Sequence, residues 1–320
     1  MSASLPAIEA IGLGRDYGST RALDALDLVV APGAMVGLLG PNGAGKTTAM
    51  LLLATLLKPS RGTALIFGHD ITQERAVIRR RLGLVFQEVS IDGLLTVREN
   101  LLFAAGLMGL GGTAARQAVT NALERTGLHA QASHPARQLS SGWRRLTDIA
   151  RATVHRPDLL ILDEPTVGLD PEHRDRMWGL LETERRERGT TILFSTHYLT
   201  EAESCTCVVL LAHGQIVAAD TPAALMAAVG DEVVEIEGPD AERAVQALHG
   251  VATVHLSIRT ERGYRLGVSG RHEALARAVG AIPRITRFAI RSATLEDVYF
   301  ARTQGLSAVS PATSFVGKAV

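Results

Sequence analysis

The sequence predicts an α/β fold with a helical insert and a small α+β domain at its C-terminal end. Three observations lead there. From residue 6 to about 225, apolar strand-like runs alternate with helix-periodic segments, the pattern of a largely parallel sheet with crossover helices. A mostly helical stretch interrupts that alternation between Phe86 and Asp158. After about Gly230 the strands become rich in Asp and Glu, and the order changes to strand, helix, hairpin, helix, strand. The expected organisation is a main domain over 6–228 containing the insert at about 89–157, an accessory domain over 231–302 and a flexible tail over 303–320.

The clearest buried strands are "AMVGLLG" (34–40), "RLGLVFQ" (81–87), "DLLILDEP" (158–165) and "TTILFST" (190–196). Each is a short continuous apolar run, as expected for strands covered on both faces. "KTTAMLLLATLL" (46–57) and "WRRLTDIARATVH" (143–155) read as helices. Within the insert, Thr96 followed by Glu99 makes a capping box before "NLLFAAGLMGL" (100–110). Asp170-Pro171 and Thr221-Pro222 each place a cap residue before a proline at the first helical position. In the last third, "EVVEIEG", "DAERAVQALHG", "ATVHLSIRTERGYRLGVSG", "RHEALARAVGAI" and "ITRFAIRS" suit a ferredoxin-like unit. The tail "LSAVSPATSFVGKAV" is small, polar and broken by proline.

Composition excludes several classes. Across 320 residues, 33 Lys plus Arg balance 33 Asp plus Glu, so no global basic field draws nucleic acid, which is not an expected partner. No apolar run reaches the roughly 18 to 20 residues needed to cross a bilayer, the longest being "AMLLLATLL" (49–57) and "LLFAAGLMGL" (101–110). "MSASLPAIEA" lacks the basic and apolar regions of a secretory signal, so a cytosolic location is expected. Cys205 and Cys207 stand too close for an ordinary disulfide and are two ligands short of a zinc site; they read as small buried apolar residues.

"GPNGAGKTT" (40–48) follows a strand and opens a helix, the setting in which G-x-x-x-x-G-K-[ST] binds phosphate. Gly40, Gly43 and Gly45 let the backbone wrap closely, with Pro41, Asn42 and Ala44 between them, and the N–H groups and helix end supply an anion site. Lys46 is placed for the β and γ phosphates and Thr47, beside Thr48, for Mg²⁺. "DLLILDEP" delivers Asp163 and Glu164 at a strand's C-terminal end, where open α/β sheets bind ligands. Asp163 suits a Mg²⁺ contact, and Glu164 suits a general base for the attacking water.

These motifs, in this order, resemble the ATP-binding subunits of ABC transporters over about residues 6–225. The resemblance implies a phosphate-loop ATPase fold, ATP and Mg²⁺ as ligands, and further site residues. Gln87 in "LVFQE" is similar to the Q-loop glutamine, which touches Mg²⁺ or the attacking water and couples to membrane subunits. His197 in "FSTHYLTEAE" is similar to the switch histidine of the γ-phosphate. Asp170 in "GLD" resembles the D-loop carboxylate, and Tyr17 in "GRDYGS" stands where the family stacks an aromatic ring on adenine.

The departure is "LSSGW" (139–143), where the family carries Leu-Ser-Gly-Gly-Gln and closes it on the ATP of a second subunit. Leu139, Ser140 and Gly142 match. Ser141 replaces the first glycine, which keeps the backbone donor if its φ is negative, and Trp143 replaces the glutamine, with bulk to fill an interface or to lie against the insert. The resemblance implies an exporter ATPase, since "TLEDVYFARTQG" (294–305) is similar to the closing motif of the drug-resistance and nodulation-factor branch. Separately encoded permease subunits, docking on "SIDGLLTVRENLLFAAGLMG" (90–109), and a homodimer or heterodimer at the cytoplasmic face of the cell membrane are the implied assembly. A dimerising nucleotide sensor and a soluble ATPase outside transport are the other classes.

Overall fold

Strands β1 (Ile8–Tyr17) and β2 (Thr20–Val30) open the chain as an antiparallel hairpin in the computed structural model, which describes residues 5–303. There follow β3 (Met35–Leu39), α1 (Lys46–Leu53), β4 (Arg61–Ile66), β5 (His69–Asp70), α2 (Arg75–Arg80) and β6 (Leu82–Val85). The insert supplies α3 (Val97–Leu107), α4 (Gly112–Thr126) and α5 (Ser141–Thr153). The chain returns through β7 (Leu159–Leu162), α6 (Pro171–Arg188), β8 (Thr191–Thr196), β9 (Cys207–Ala212) and β10 (Gln215–Asp220). The last third runs α7 (Pro222–Ala227), β11 (Glu232–Glu237), α8 (Ala241–His249), β12 (Thr253–Arg259), β13 (Gly263–Ser269), α9 (His272–Gly280), β14 (Arg287–Ser292) and α10 (Leu295–Thr303). Two compact units result, residues 5–197 with 205–216, and residues 198–204 with 217–303.

The first unit is organised by the neighbouring strands β9-β3-β8-β7-β6, which pair in parallel. Every residue of β3, β7, β8 and β9 is buried, which is why these segments read as unbroken apolar runs. The C-terminal ends of β3, β7 and β8 lead directly into Gly40, Asp163 and His197. Cys205 and Cys207 are buried, as expected.

Two features differ from the sequence expectation. The early strands form their own antiparallel sheet, β2-β1-β4-β5, rather than joining the parallel one. The register of β1 shifts against both neighbours, and Gly14 packs so tightly on Arg61 that a Cβ there would lie 2.7–2.8 Å from its side chain. Helix α1 stops at Leu53 instead of Leu57, because Thr55 turns to φ 61° and the amides of Leu56 and Leu57 close back onto the Leu51 carbonyl. Arg79 holds that turn, donating to Thr55 Oγ1 and to the Thr55 carbonyl, both at 2.9 Å.

The three predicted caps form. Thr96 and Glu99 close the capping box at α3, Asp170 accepts from the His173 amide at 3.0 Å, and Thr221 accepts from the Ala224 amide at 3.2 Å. In the second unit, the sheet order β12-β13-β11-β14, with antiparallel pairs throughout, is the ferredoxin-like arrangement. Val234, Ile236 and Leu266 of its sheet meet Leu248 and Leu275 of α8 and α9 in one core. Fully buried Asp297 of α10 is paired with Arg291 at 2.7 and 2.8 Å and accepts from Thr294, so the acidic position of "TLEDV" anchors the last helix to β14. The tail from Gln304 onward lies outside the described residues.

Candidate functional site

The phosphate loop joins β3 to α1, and two of its glycines have no substitute. Gly40 has φ 154° and a Cβ there would lie 2.2 Å from the Leu211 carbonyl; Gly45 has φ 102° and would meet the Ala22 carbonyl at 2.7 Å. Pro41, Asn42 and Gly43 face solvent, Ala44 is buried and Thr48 half-buried. Lys46 is 5 % exposed and its Nζ donates to the carbonyls of Gly40 at 2.7 Å and Pro41 at 3.2 Å. Burial holds its pKa below the ordinary lysine value, against the opposing pull of Glu164 and Asp163.

Both acids at the end of β7 are nearly buried and are held in different ways. Thr47 Oγ1 donates to Asp163 Oδ2 at 2.9 Å. Asp163 Oδ1 accepts from Ser195 Oγ on β8, and the same hydroxyl accepts from the Glu164 amide at 2.9 Å. Glu164 has φ 44°, a left-handed backbone that a glutamate adopts only when its surroundings enforce it. Its carboxylate is the point of convergence. Gln87 Nε2 donates to Oε2 at 3.2 Å, while His197 Nδ1 lies 3.5 Å and Lys46 Nζ 4.0 Å from Oε1.

Gln87 is itself carried by helix α5. Buried Arg145 donates to the carbonyls of Phe86 at 2.6 Å and of Gln87, with Asp148 at 3.8 Å as its counter-charge. Asp148 also accepts from the hydroxyl of Ser90 at 3.2 Å, and Arg151 donates to that hydroxyl at 2.7 Å.

The remaining predicted residues form a second cluster. Ser140 caps α5 by accepting from the Trp143 amide at 3.4 Å, and Ser141 stands inside the first turn with no positive φ, so its replacement of glycine carries no backbone strain. Its Oγ donates to the Gly168 carbonyl at 3.4 Å. Asp170 caps α6, and the hydrogen bond from the His173 amide is the largest cause holding its carboxyl below the usual range. Trp143 packs edge-on against His173 of α6, with centroids 5.0 Å apart. Tyr17 is 45 % exposed beneath the Arg15 guanidinium.

Residues 23–167 match the family model described as "ABC transporter". The daunorubicin/doxorubicin resistance ATP-binding protein DrrA of Streptomyces peucetius is 36 % identical over 306 residues, 93 % of this chain and 92 % of that protein. The chain belongs to the ABC transporter family. The Nod factor export ATP-binding protein I of Paraburkholderia xenovorans (strain LB400) is 37 % identical over 93 % of this ABC chain and 97 % of its own. Among solved structures, CbiO1 of Clostridium perfringens, part of the ABC transporter complex CbiONQ, superposes with TM-score 0.64 at 31 % identity, covering 70 % of this chain and 91 % of its own. The dimeric post-hydrolysis cassette MJ0796 with ADP and Pi gives 0.62 at 26 % identity, covering 67 % and 98 %. This ABC subunit is therefore an ATP-binding ATPase of phosphate-loop fold, and among its described residues no helix is long and apolar enough to cross a membrane.

Three residues of this ABC site escaped the sequence reading: Ser195, Arg145 and His173. Ser195 leaves one signal, a hydroxyl directly after the buried apolar run Ile192–Phe194.

Proposed function

We propose that this chain is the motor subunit of a membrane exporter, hydrolysing Mg·ATP between two ATPase subunits at the cytoplasmic face of the cell membrane. The observation that carries the reading is the convergence of Lys46, Gln87 and His197 on Glu164, beside the Thr47–Asp163 pair. Lys46 exchanges its loop carbonyls for the β and γ phosphates, which the loop amides cradle. Glu164 takes the proton of the attacking water, Gln87 orients that water, and His197 bonds the γ-phosphate. Thr47, Asp163 and Gln87 are oxygen donors suited to Mg²⁺, which when bound neutralises charge developing on the phosphates. Tyr17 stacks on adenine, and Ser140, Ser141, Gly142 and Asp170 complete the site of the opposite subunit.

The division into an ATPase domain over 6–228 and an accessory domain over 231–302 belongs to the same reading. Separately encoded permease subunits supply the membrane spans. Leu94, Phe103 and Leu107 are 74 %, 63 % and 70 % exposed, so the insert offers them an apolar face, whereas Leu101, Ala104 and Ala105 are core. Export is supported by the drug-resistance and Nod factor relatives.

Glu164→Gln tests the mechanism. Expected are intact ATP binding, hydrolysis reduced at least about a thousandfold and an ATP-trapped dimer in light scattering. Full turnover in that variant would overturn the role of Glu164. ATP binding with no dimer would favour the sensor reading or a different ATPase partner.

A further inference from the structure

Trp143, the bulky departure in the signature, and His173, which follows the D-loop, occupy one cluster. The Trp143 and His173 rings stand at 90° with centroids 5.0 Å apart, and the Arg176 guanidinium lies 5.3 Å from the Trp143 centroid. The imidazole fills the space over Gly142 so closely that a Cβ there would fall 2.3–2.7 Å from its ring atoms. Ser141 Oγ reaches the Gly168 carbonyl at 3.4 Å. Residues 141, 142 and 143 thus each touch the segment from Gly168 to Arg176. His173 in turn binds Asp170 through its side chain, Nδ1 to Oδ2 at 2.7 Å, and through its amide to Oδ1 at 3.0 Å.

The imidazole is 12 % exposed, and its Nε2 is buried without a hydrogen-bond partner. A histidine that only solvated the helix start would not bury that nitrogen, so packing holds the ring in place. A glutamine at 143 would present an amide to this ring edge, whereas tryptophan presents an apolar, rigid one.

We infer that His173 is a positioning residue that latches the signature segment to the D-loop, with Trp143 as its packing partner. The two segments that close on the other subunit's ATP then move as one piece. Ser141 in place of glycine adds a hydrogen bond to the same latch. The catalytic consequence rests on the dimeric reading proposed above, but the latch itself is a property of the single chain.

Hydrogen exchange on the ATP-free protein tests it directly. His173→Ala and Trp143→Gln are each expected to speed exchange about tenfold in both segments, 139–144 and 166–171, and the double variant no more than the faster single. Exchange in α1 and β3 should stay unchanged, which separates latch loss from general unfolding. His173→Phe, keeping a flat ring but losing the bond to Asp170, should restore protection to the signature segment alone. Exchange raised only beside the substituted residue, or multiplied in the double variant, overturns the latch. In a Glu164→Gln background, both single variants should need about five to twenty times more ATP for half-maximal dimerisation, with ATP affinity of the monomer unchanged. An unaltered ATP requirement overturns the coupling to closure, whereas a parent that never dimerises refutes the dimeric reading and leaves the exchange result to decide the latch.

Discussion

Ser195→Ala removes one buried hydroxyl and two hydrogen bonds, one to each acid of the site. Losing the bond to an ionised carboxylate costs about 1.5 to 3 kcal/mol, and leaving the buried Glu164 amide unpaired costs about 1 to 3 kcal/mol. The residue is fully buried, so water does not easily replace the hydroxyl. Part of the loss appears as reduced stability. If about 2 kcal/mol of it is felt in the transition state, kcat falls about thirtyfold. KM for ATP should change less than about twofold, because the proposed phosphate contacts are the loop amides and Lys46, which Ser195 does not touch. The Mg²⁺ needed for half-maximal rate should rise, because Ser195 leaves only Asp163 Oδ2 facing Thr47. Phosphate release at varied Mg²⁺ and ATP is the assay, and Ser195→Thr, which keeps the hydroxyl, should recover most of the rate. An alanine variant within about threefold of the parent, or a threonine variant as slow as alanine, would refute the reasoning.

Arg145→Met should slow hydrolysis at least about tenfold while ATP binding persists, since it frees the backbone that carries Gln87; equal rates would remove Arg145 from the mechanism. Phe103→Glu in the insert should abolish co-purification with a permease while basal ATPase activity survives, and retained binding would move the docking face elsewhere. Asp297 gives a pH signature. Burial pushes its carboxyl up, but hydrogen bonds from Arg291 and Thr294 outweigh burial and leave it below the usual range. Its stabilising effect is therefore complete above about pH 5 and drains as pH falls below about 4 through the lowered value, a dependence that Asp297→Asn should remove from thermal melts.

What the sequence discloses and what it conceals divide along a physical line. The phosphate loop and the Asp163-Glu164 pair are set by consecutive residues in one local geometry, so they are legible as motifs. Gln87 and His197 become legible only through resemblance, because their proximity to Glu164 is created by adjacent strand ends of the sheet. Ser195 hides because a serine in a strand looks like packing until its neighbour across the sheet is known. Trp143 offers bulk for an interface or the insert, and its ring partner His173, which lies 30 residues later, becomes known only when α5 and α6 pack together. The antiparallel sheet is hard to read from sequence because β1 carries bulges that break a strict alternation. The apolar run of α1 continues past its end because the signal that stops the helix, Thr55 held by Arg79, is tertiary.

The buried thiols of Cys205 and Cys207 have a practical consequence. They are the chain's two cysteines, and both are shielded from solvent in the fold. A maleimide or a disulfide-forming probe should react slowly with the native protein. A cysteine introduced at Phe103, at Ser141 or at Glu296 of α10 would then be the most accessible handle for labelling. Distances between subunits, and cross-links to a permease, become measurable on a background that needs no prior removal of native thiols.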